Sequence, residues 1–439
     1  MLSKNTEQTL DVSSSKSETG NGVPEEGPRP AAAKPPAMMG LGDVMKIAPF
    51  RRLWISQLVS VFGDFLALYA VIAMVSFKMH GTPRQVTLIS VAFLLPLALV
   101  SPIAGVFVDR WDPRRTMIAS DVSRGILILG LIFAHAPEHV YLVLFAVSVF
   151  SSFFVPAQSV AVPQIVPMQG LLSASAAMQQ AMQVVRIVSP VISGMLAGWL
   201  GANVCYYADS ASFFISAALL TTIAIAPLPP HANQQMKSVL SDVMSGMKFI
   251  VTHEVIGFVI LSIAAGMFAI GAFGSLIAVY VRDILHMNAQ MYGTLGSLVG
   301  FGMLAGGLAI TKLAHLFPDK AKLIVAGLFF CGVSIAFIAA FGTPVASVIG
   351  CIGVGLSSSL LIVPAMALMQ GQVPAEMRGR VTSSSMSMMT LAQGGALLFT
   401  GDLASRFGIN AVYYGSAVLM TIFAAFGMFR LGKRTAGRA

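Results

Sequence analysis

The chain has 439 residues, of which 56% are hydrophobic and only 10% are charged, whereas an average soluble domain has about 25% charged residues. A soluble protein of this length needs far more Lys, Arg, Asp and Glu to hydrate its surface, so the composition excludes a water-soluble globule and predicts a chain embedded in lipid. The formal net charge of +9 does not indicate nucleic-acid binding, because the basic residues form small clusters between apolar runs rather than one stripe.

The residue types that build most metal and catalytic sites are scattered in this chain. Its three cysteines lie far apart inside apolar segments without a C-x-x-C pair, so we expect neither a disulfide framework nor a metal site. The sequence contains no G-x-x-x-x-G-K-[ST] loop for ATP and no H-E-x-x-H or G-x-S-x-G motif. We therefore expect no cofactor and no enzymatic activity.

Residues 1–50 are predicted to form a disordered cytoplasmic tail. The main part of this stretch is rich in Ser, Glu, Pro and Gly and has almost no large apolar residues. Such a composition buries too little apolar surface to offset the entropy that ordering costs.

Apolar stretches then recur at the length that a helix needs to cross a hydrocarbon core of about 30 Å. Because every backbone polar group must be satisfied internally in lipid, these stretches predict transmembrane helices. The twelve predicted spans are residues 53–77, 86–108, 116–135, 140–161, 172–198, 203–226, 251–280, 290–311, 322–341, 345–369, 381–401 and 410–431.

The distribution of Lys and Arg between the spans predicts the orientation. With a cytoplasmic N-terminus, most of these residues fall on the inner side. The outer connections then hold only Lys78, Arg84, Arg282 and Arg406. We therefore expect both termini to be cytoplasmic in a multi-pass protein of the cytoplasmic (inner) membrane, in contact with membrane lipid.

A polar connection over residues 227–250 divides the chain into six-helix bundles over 51–226 and 251–431, followed by a cytoplasmic tail over 432–439. The two halves share three features at similar offsets: Pro156-Ala157 with Pro364-Ala365, Val166-Pro167 with Val373-Pro374, and Gly105 with Gly307. Internal duplication is typical of secondary transporters, whose substrate path lies between the halves. The predicted fold class is therefore an all-α membrane protein of twelve transmembrane helices in two pseudo-symmetric six-helix bundles.

One inner connection carries a recognisable motif. The segment GVFVDRWDPRRTM (105–117) resembles the signature loop G-x-x-x-D-R-x-G-R-R of the major facilitator superfamily. Further segments resemble the branch of bacterial drug, macrolide and siderophore (enterobactin-type) exporters: FRRLWISQLVSVFGDFL (50–66), FFVPAQSVAVPQIVP (153–167), RIVSPVISG (186–194), YYADSASFFISA (206–217) and VPAEMRGRVTSS (373–384). This resemblance implies the major facilitator fold and transport of a small molecule.

The resemblance also implies a conformational latch at this loop. Asp109 is expected against the positive N-terminal end of the eleventh span, while the arginines meet inner-side carboxylates and lipid phosphates. The alternative for Arg114 and Arg115 is that they only anchor the inner side. The sequence departs from the signature at Asp112 and Pro113, so the turn must be made differently. The expected latch residues are Gly105, Asp109, Arg110, Arg114, Arg115, Asp121 and Arg124.

The segment RIVSPVISG in the fifth span is similar to the antiporter motif built around G-P-x-x-G-G. Its residues Ser189, Pro190 and Gly194 are expected to form a hinge or seal between the halves, because small residues allow close helix approach and proline bends a helix. Ordinary small-residue packing is the alternative.

Ionisable residues inside the spans are few, and each is a candidate functional group because a charge at bilayer depth is costly. Asp64 lies roughly 18 Å along the first span from Arg52, at 1.5 Å per residue, and so near mid-membrane. We expect it to take a proton from outside and release it inside as substrate competes. The alternative is a neutralised partner of Arg186 or of an amide.

Arg186, in the fifth span, needs a carboxylate or carbonyls; it binds an anionic part of the substrate or pairs with Asp64. Asp121 and Arg124, one helical turn apart, favour a local ion pair. Asp209 is expected to be hydrogen-bonded by nearby serines. Drug–proton antiporters of the superfamily usually carry an arginine in the fourth span, which this chain lacks. Proton coupling, if present, must therefore use another arrangement, such as Asp64 with Arg186 or Arg124.

Gln57, Gln183 and Gln393 are the expected polar residues of the substrate cavity. The sequence therefore favours a monomeric exporter of a small amphipathic molecule (drug-like, macrolide or siderophore), which works by alternating access and proton antiport. One alternative is a lysophospholipid flippase or uptake carrier of the same fold. Another is a membrane sensor or scaffold that does not transport.

Overall fold

The computed structural model describes residues 39–108, 111–225, 244–245, 247–313, 319–373 and 377–436. Within these ranges the chain is helical almost throughout and contains no strand, which confirms the all-α prediction. The helices are α1 (Leu41–Lys46), α2 (Ala48–Ala73), α3 (Pro83–Val108), α4 (Pro113–Ile128), α5 (Pro137–Ile165), α6 (Leu171–Trp199), α7 (Ala202–Thr221), α8 (Glu254–Asp283), α9 (Ala289–Leu313), α10 (Lys320–Phe341), α11 (Pro344–Gln372), α12 (Arg378–Phe407) and α13 (Ile409–Ala436).

The long helices α2–α13 stand where the twelve spans were predicted. In the described residues, eleven helices are both long enough and apolar enough to cross a membrane. The remaining one, α12, has 30 residues but begins with the polar run RGRVTSSSMSMMT. It packs on α8 and on α3, so a large part of its surface meets protein rather than lipid, and it can span without being uniformly apolar.

The last residues of the predicted disordered tail, 1–50, are helical in the structure. Leu41–Lys46 is helical, and α2 already begins at Ala48. Val44 and Phe50 are fully buried against α6. These two apolar residues hold the end of the stretch predicted as tail against the bundle, and the average composition of residues 1–50 did not reveal them. Residues 1–38 lie outside the described part of the chain. Most of the predicted connection 227–250 also lies outside it, and residues 247–252 are helical.

The two halves of the chain repeat one packing pattern. In the first half, α2 packs on α6 and α7, α3 packs on α5, and α4 packs on α5 and α7. In the second half, α8 packs on α12 and α13, α9 packs on α11, and α10 packs on α11 and α13. Each contact in one half has its counterpart six long helices later, which is the arrangement expected of an internal duplication.

Helices of the second half approach closely where glycine removes the side chain. A Cβ atom at Gly355 of α11 would collide with the carbonyl oxygen of Val299 and lie 2.8 Å from the amide nitrogen of Met303, both on α9. Backbone atoms cannot move aside as a side chain can. The contact of α9 with α11 therefore depends on glycine at this position.

We expect Gly355→Ala to lower the thermal stability of the purified protein. Overpacking costs about 1–3 kcal/mol, which exceeds the gain of about 1 kcal/mol from replacing glycine by alanine in a helix. The matched control is Gly307→Ala in α9, where a Cβ atom meets nothing within 4 Å. The measurement is thermal unfolding in detergent; a G355A protein that melts at or above the wild-type temperature contradicts the close approach.

Candidate functional site

A charged cluster occupies the middle of the first half. Asp64 lies near the centre of α2, and its Oδ2 is 3.4 Å from Arg124 Nη1 on α4. Arg124 Nη2 also contacts Asp121 Oδ1, one turn earlier on α4. Ser216 Oγ on α7 donates to Asp121 Oδ2 at 2.6 Å. One guanidinium thus joins two carboxylates from two helices, and a third helix supplies a hydrogen bond.

Arg124 is enclosed by aromatic rings as well as by acids. Its guanidinium carbon lies 4.3 Å from the ring centroid of Phe213 and 5.0 Å from that of Phe154. Its side chain is 5% exposed, whereas that of Asp64 is 21% exposed. A desolvated guanidinium gains from both kinds of contact. Asp64 is therefore the member of the ion pair that water reaches most easily.

A third carboxyl group, Asp209 on α7, lies beside this cluster. Its Oδ1 accepts a hydrogen bond from Ser212 Oγ at 3.3 Å, as the sequence predicted, while its Oδ2 has no partner among the described residues. A Cβ atom at Gly63 would overlap Asp209 Oδ1, so this carboxyl packs on the α2 backbone directly before Asp64. This proximity could not be predicted from the sequence, because the neighbouring serines already offer hydrogen-bond partners for Asp209.

Asp112 and Pro113 explain how the connection before α4 departs from the family pattern. Asp112 is the N-cap of α4 and accepts a hydrogen bond from the backbone N–H of Arg115 at 3.0 Å, while Pro113 occupies the first helical turn. Both residue types favour a helix start. The turn is therefore ended by a helix cap rather than by a glycine.

The arginines at the inner ends of the first half have separate environments. Arg114 Nε donates to the carbonyl oxygen of Leu220 at 3.1 Å, and Arg52 Nη1 donates to that of Thr222 at 2.7 Å. Arg52 thus provides a donor for a carbonyl at the end of α7, whereas the Leu220 carbonyl also accepts a hydrogen bond from the backbone N–H of Ile223. The Arg115 side chain is 88% exposed. Gly105 of the predicted latch has open space beside it, and Asp109 and Arg110 lie outside the described residues.

Arg186 on α6 stands apart from the acid cluster. It is exposed, its guanidinium carbon lies 5.9 Å from the Phe65 ring centroid, and no carboxylate of the described residues forms an ion pair with it. Asp64 pairs with Arg124 instead, so the alternative pairing of Asp64 with Arg186 is not found in this conformation.

The predicted cavity glutamines are spread over both halves. Gln57 Oε1 accepts a hydrogen bond from Gln158 Nε2 on α5 at 2.8 Å. The Gln393 side chain packs against Gly271 of α8. The side chain of Gln183 lies outside the description. The described contacts therefore do not bring these three residues together.

The predicted motif of the fifth span lies where the halves meet. Pro190 and Gly194 of α6 face α9, where a Cβ atom at Gly293 would collide with the Pro190 carbonyl oxygen and lie 3.1 Å from Gly194 Cα. Ser189 is fully buried. In the structure this motif therefore forms a close-packed contact of small residues between the two halves.

Further contacts between the halves occur at the same end of the molecule. We call the end where α2 begins the proximal end and the opposite one the distal end. At the distal end, Arg84 Nε lies 3.1 Å from Asp402 Oδ1, and Gly401 packs against Thr87. Arg282 of α8 donates to the carbonyl oxygens of Ser76 and Gly81 at the α2–α3 connection. Together with the α6–α9 contact, these residues form the distal seam.

Comparison with known proteins agrees with this architecture. The family model described as the Major Facilitator Superfamily matches residues 53–397. The MFS-type transporter YfiS of Bacillus subtilis is 24% identical over 401 residues, which cover 87% of this chain and 92% of that protein.

Two further relatives carry names that state an activity. Macrolide efflux protein A of Streptococcus pyogenes is 24% identical, covering 85% of this chain and 94% of that protein. The enterobactin exporter EntS of Escherichia coli is 24% identical, covering 87% and 93%. Among solved structures, a bacterial homologue of the human lysosomal transporter Spinster shares the fold with a TM-score of 0.69 at 14% identity, covering 87% of this chain and 97% of that one.

The contributions of packing and charge to the distal seam can be separated by thiol labelling. Thr87 is 1% exposed, so Thr87→Cys reports opening of the seam to a membrane-impermeant maleimide when the native cysteines are replaced by alanine. We expect Gly293→Ala to raise its labelling rate by between about fivefold and about 150-fold, because overpacking costs about 1–3 kcal/mol. We expect Asp402→Asn to raise it at most about fivefold, because exposed ion pairs contribute about 0.2–1 kcal/mol.

The control is Gly394→Ala on α12, where a Cβ atom meets nothing within 4 Å and labelling should stay at the reference rate. A larger effect of Asp402→Asn than of Gly293→Ala would show that charge rather than backbone packing holds the seam.

Proposed function

This chain belongs to the Major Facilitator Superfamily, and on that premise we propose that it exports a small amphipathic molecule across the cytoplasmic membrane in exchange for protons. Members of this family are multi-pass membrane transporters rather than enzymes. The direction of transport is supported by the relatives named as a macrolide efflux protein and an enterobactin exporter. The coupling is supported by the charged cluster around Arg124.

Alternating access is supported by the contact between the halves. The distal seam closes one end through residues from α3, α6 and the α2–α3 connection on one side and α8, α9 and α12 on the other. With the N-terminus in the cytoplasm, the distal end is the outer one, so substrate would load from the cytoplasm in this conformation. Opening the distal seam while the proximal ends close would then release substrate outside.

The observation that carries the proposal is the ion pair of Asp64 with Arg124, in which the acid is 21% exposed and the arginine 5% exposed. An ionised Asp64 is held by Arg124. Addition of a proton from the outer side gives the neutral acid, which releases the guanidinium and frees α2 from α4. Loss of that proton to the cytoplasm restores the pair. Arg124 thereby serves in place of the arginine that the fourth span lacks.

The position of Arg186 favours a substrate that carries an anionic group. A cation at bilayer depth without a carboxylate partner is costly, and Arg186 has none among the described residues, so an anionic group of the substrate would supply one. Phe65 beside it offers an apolar ring. Gln57, Gln183 and Gln393 complete the proposed site with hydrogen bonds. This arrangement favours an amphipathic anion over an amphipathic cation.

The latch is proposed for the opposite, outward-facing state. Gly105, Asp109 and Arg110 would then meet the start of α12, as the family resemblance implies, while Arg115 contacts lipid phosphates. Arg114, which caps α7, would keep the latch joined to the first half. We propose that the protein acts as a monomer, because each half of the transport path lies within one chain.

We expect Asp64→Asn to abolish transport driven by a pH gradient while leaving the protein level unchanged, because an amide cannot exchange a proton. The measurement is uptake into inside-out vesicles of substrates first identified by a susceptibility and dye panel on cells with and without the gene. The control is Asp43→Asn on α1, an exposed acid paired with Lys46. Transport at the wild-type rate with unchanged pH dependence would rule out Asp64 as the coupling group.

We expect Arg186→Gln to weaken transport of an anionic xanthene dye roughly tenfold, since a hydrogen bond to a charged group is worth about 1.5–3 kcal/mol. Transport of a cationic xanthene dye of similar size should not fall. The control is Arg115→Gln, which removes an exposed arginine from the surface. An equal loss of transport for both dyes would mean that Arg186 stabilises the helix bundle rather than binding an anionic group of the substrate.

A further inference from the structure

Asp209 is a buried carboxyl group that the proposed transport cycle does not yet use. It is 0% exposed, and its Oδ2 has no hydrogen-bond partner among the described residues. Arg124 Nε, in the neighbouring ion pair, also has no partner there. A buried acceptor and a buried donor are therefore both unsatisfied within one cluster.

The charges in this cluster do not balance. Asp64 and Asp121 both contact the guanidinium of Arg124, and Asp209 packs beside Asp64 at Gly63 without a cation of its own among the described contacts. Asp121 is held by Arg124 and by Ser216, and Asp64 is held by Arg124. Asp209 receives only the weak hydrogen bond from Ser212. An ionised carboxylate with no cation at bilayer depth is the most expensive state of such a cluster, so Asp209 is the acid that must carry a proton in this conformation.

The charged and titratable groups around Asp209 come from each helix that packs on α7. α2 supplies Asp64 next to Gly63, α4 supplies Asp121 and Arg124, and α7 itself carries Cys205 one turn earlier. α6 carries Arg186, whose guanidinium lies over the Phe65 ring instead. Within the described residues, Arg124 is thus the cation that can pair with Asp209.

We propose that Asp209 is a second proton-binding group of this site and that Asp209 and Asp64 alternate as partners of Arg124. The inference rests on the proposed proton antiport and extends it from one carboxyl to two. In the conformation described, Arg124 pairs with ionised Asp64 while Asp209 is protonated. When Asp64 accepts a proton, its hold on Arg124 is lost, and the free Nε–H can turn to Asp209, which then gives up its own proton.

Each step moves one proton and breaks no other bond. Asp64 changes from carboxylate to acid, Asp209 changes from acid to carboxylate, and Arg124 stays charged throughout. Asp209 packs on the α2 backbone at Gly63, next to Asp64, so the exchange takes place between two neighbouring carboxyls on α2 and α7.

Infrared difference spectroscopy between acidic and alkaline pH tests this proposal on the full-length protein in liposomes without any substrate. The carbonyl stretching band of a protonated carboxyl disappears when that group ionises. We expect the wild type to show a band that Asp209→Asn lacks and a second band that Asp64→Asn lacks. Asp43→Asn, at an exposed position, should keep both bands.

Thiol labelling of Thr87→Cys gives a second readout. Because the proton that Asp64 gains is offset by the one that Asp209 releases, opening of the distal seam should be nearly independent of pH in the wild type and should have a one-proton slope in Asp209→Asn. A purely structural Asp209 would leave the slope and the infrared bands as in the wild type. That result would overturn the proposal.

Two variants keep the test decisive if Asp209→Asn does not fold. Ser212→Ala removes the hydrogen bond to Asp209 Oδ1, so it should shift the frequency of the Asp209 band and leave that of Asp64 in place. Asp209→Glu retains a carboxyl and should retain a second band. An unshifted spectrum in Ser212→Ala, or a missing wild-type band, contradicts the assignment.

The experiment also separates this inference from the proposed antiport. If vesicles with the wild-type protein show no proton flux with either xanthene dye, antiport of these probes fails while the spectra still decide the protonation of Asp209. If Asp64→Asn loses coupled transport and Asp209→Asn behaves as wild type in every readout, antiport stands and the second proton site is refuted.

Discussion

A guanidinium group at bilayer depth must have partners, and the way in which Arg124 finds them determines the structure of the first half. An unpaired arginine at the centre of a span costs about 3 kcal/mol. Arg124 avoids that cost through Asp64 on α2 and Asp121 on α4, with Ser216 on α7 bound to the second acid. Among these helices α7 packs on both α2 and α4, while the pair of Asp64 with Arg124 joins α2 to α4. Packing and charge state are therefore linked, because a change of proton at Asp64 changes the contact between α2 and α4.

The seam between the halves depends on a different interaction. Its ion pair of Arg84 with Asp402 is exposed on both sides and contributes little, whereas Gly293, Pro190 and Gly194 bring two backbones into contact. Close backbone approach gives a large contact without burying charge. A carrier needs such a contact to be formed and lost in every cycle, so its energy has to stay within a few kcal/mol of that of the alternative state. Small residues meet this requirement better than a buried ion pair would.

Sequence reasoning predicted the parts of this structure that local composition determines. The twelve long helices follow from apolar length and the division into halves from the repeated motifs, and Asp64 was selected because ionisable residues inside the spans are rare. Its partner could not be selected, because Arg124 and Arg186 were both plausible until the packing placed α4, not α6, against the acid. The sequence predicts hydrogen bonding for Asp209, and this is correct for Oδ1. It does not predict that Oδ2 is buried without a partner among the described residues. The helical structure at the end of the predicted tail could not be predicted from average composition, because its two buried apolar residues, Val44 on α1 and Phe50 on α2, follow a long polar stretch.

The first helix of the bundle connects these two systems. α2 carries Asp64 at its centre, Tyr69 packs on Tyr292 of α9 at 5.4 Å between ring centroids, and the distal end of the helix becomes a π-helical turn over Met74–Lys78. Within that turn the carbonyl oxygen of Ser76 accepts a hydrogen bond from Arg282 of the other half. A π-helical turn is rare and is found frequently at functional sites. A displacement of α2 that begins at Asp64 must therefore act on the contact with Tyr292 and on the Arg282 hydrogen bond, so that the charge of one buried carboxyl and the closure of the distal seam are joined by a single helix.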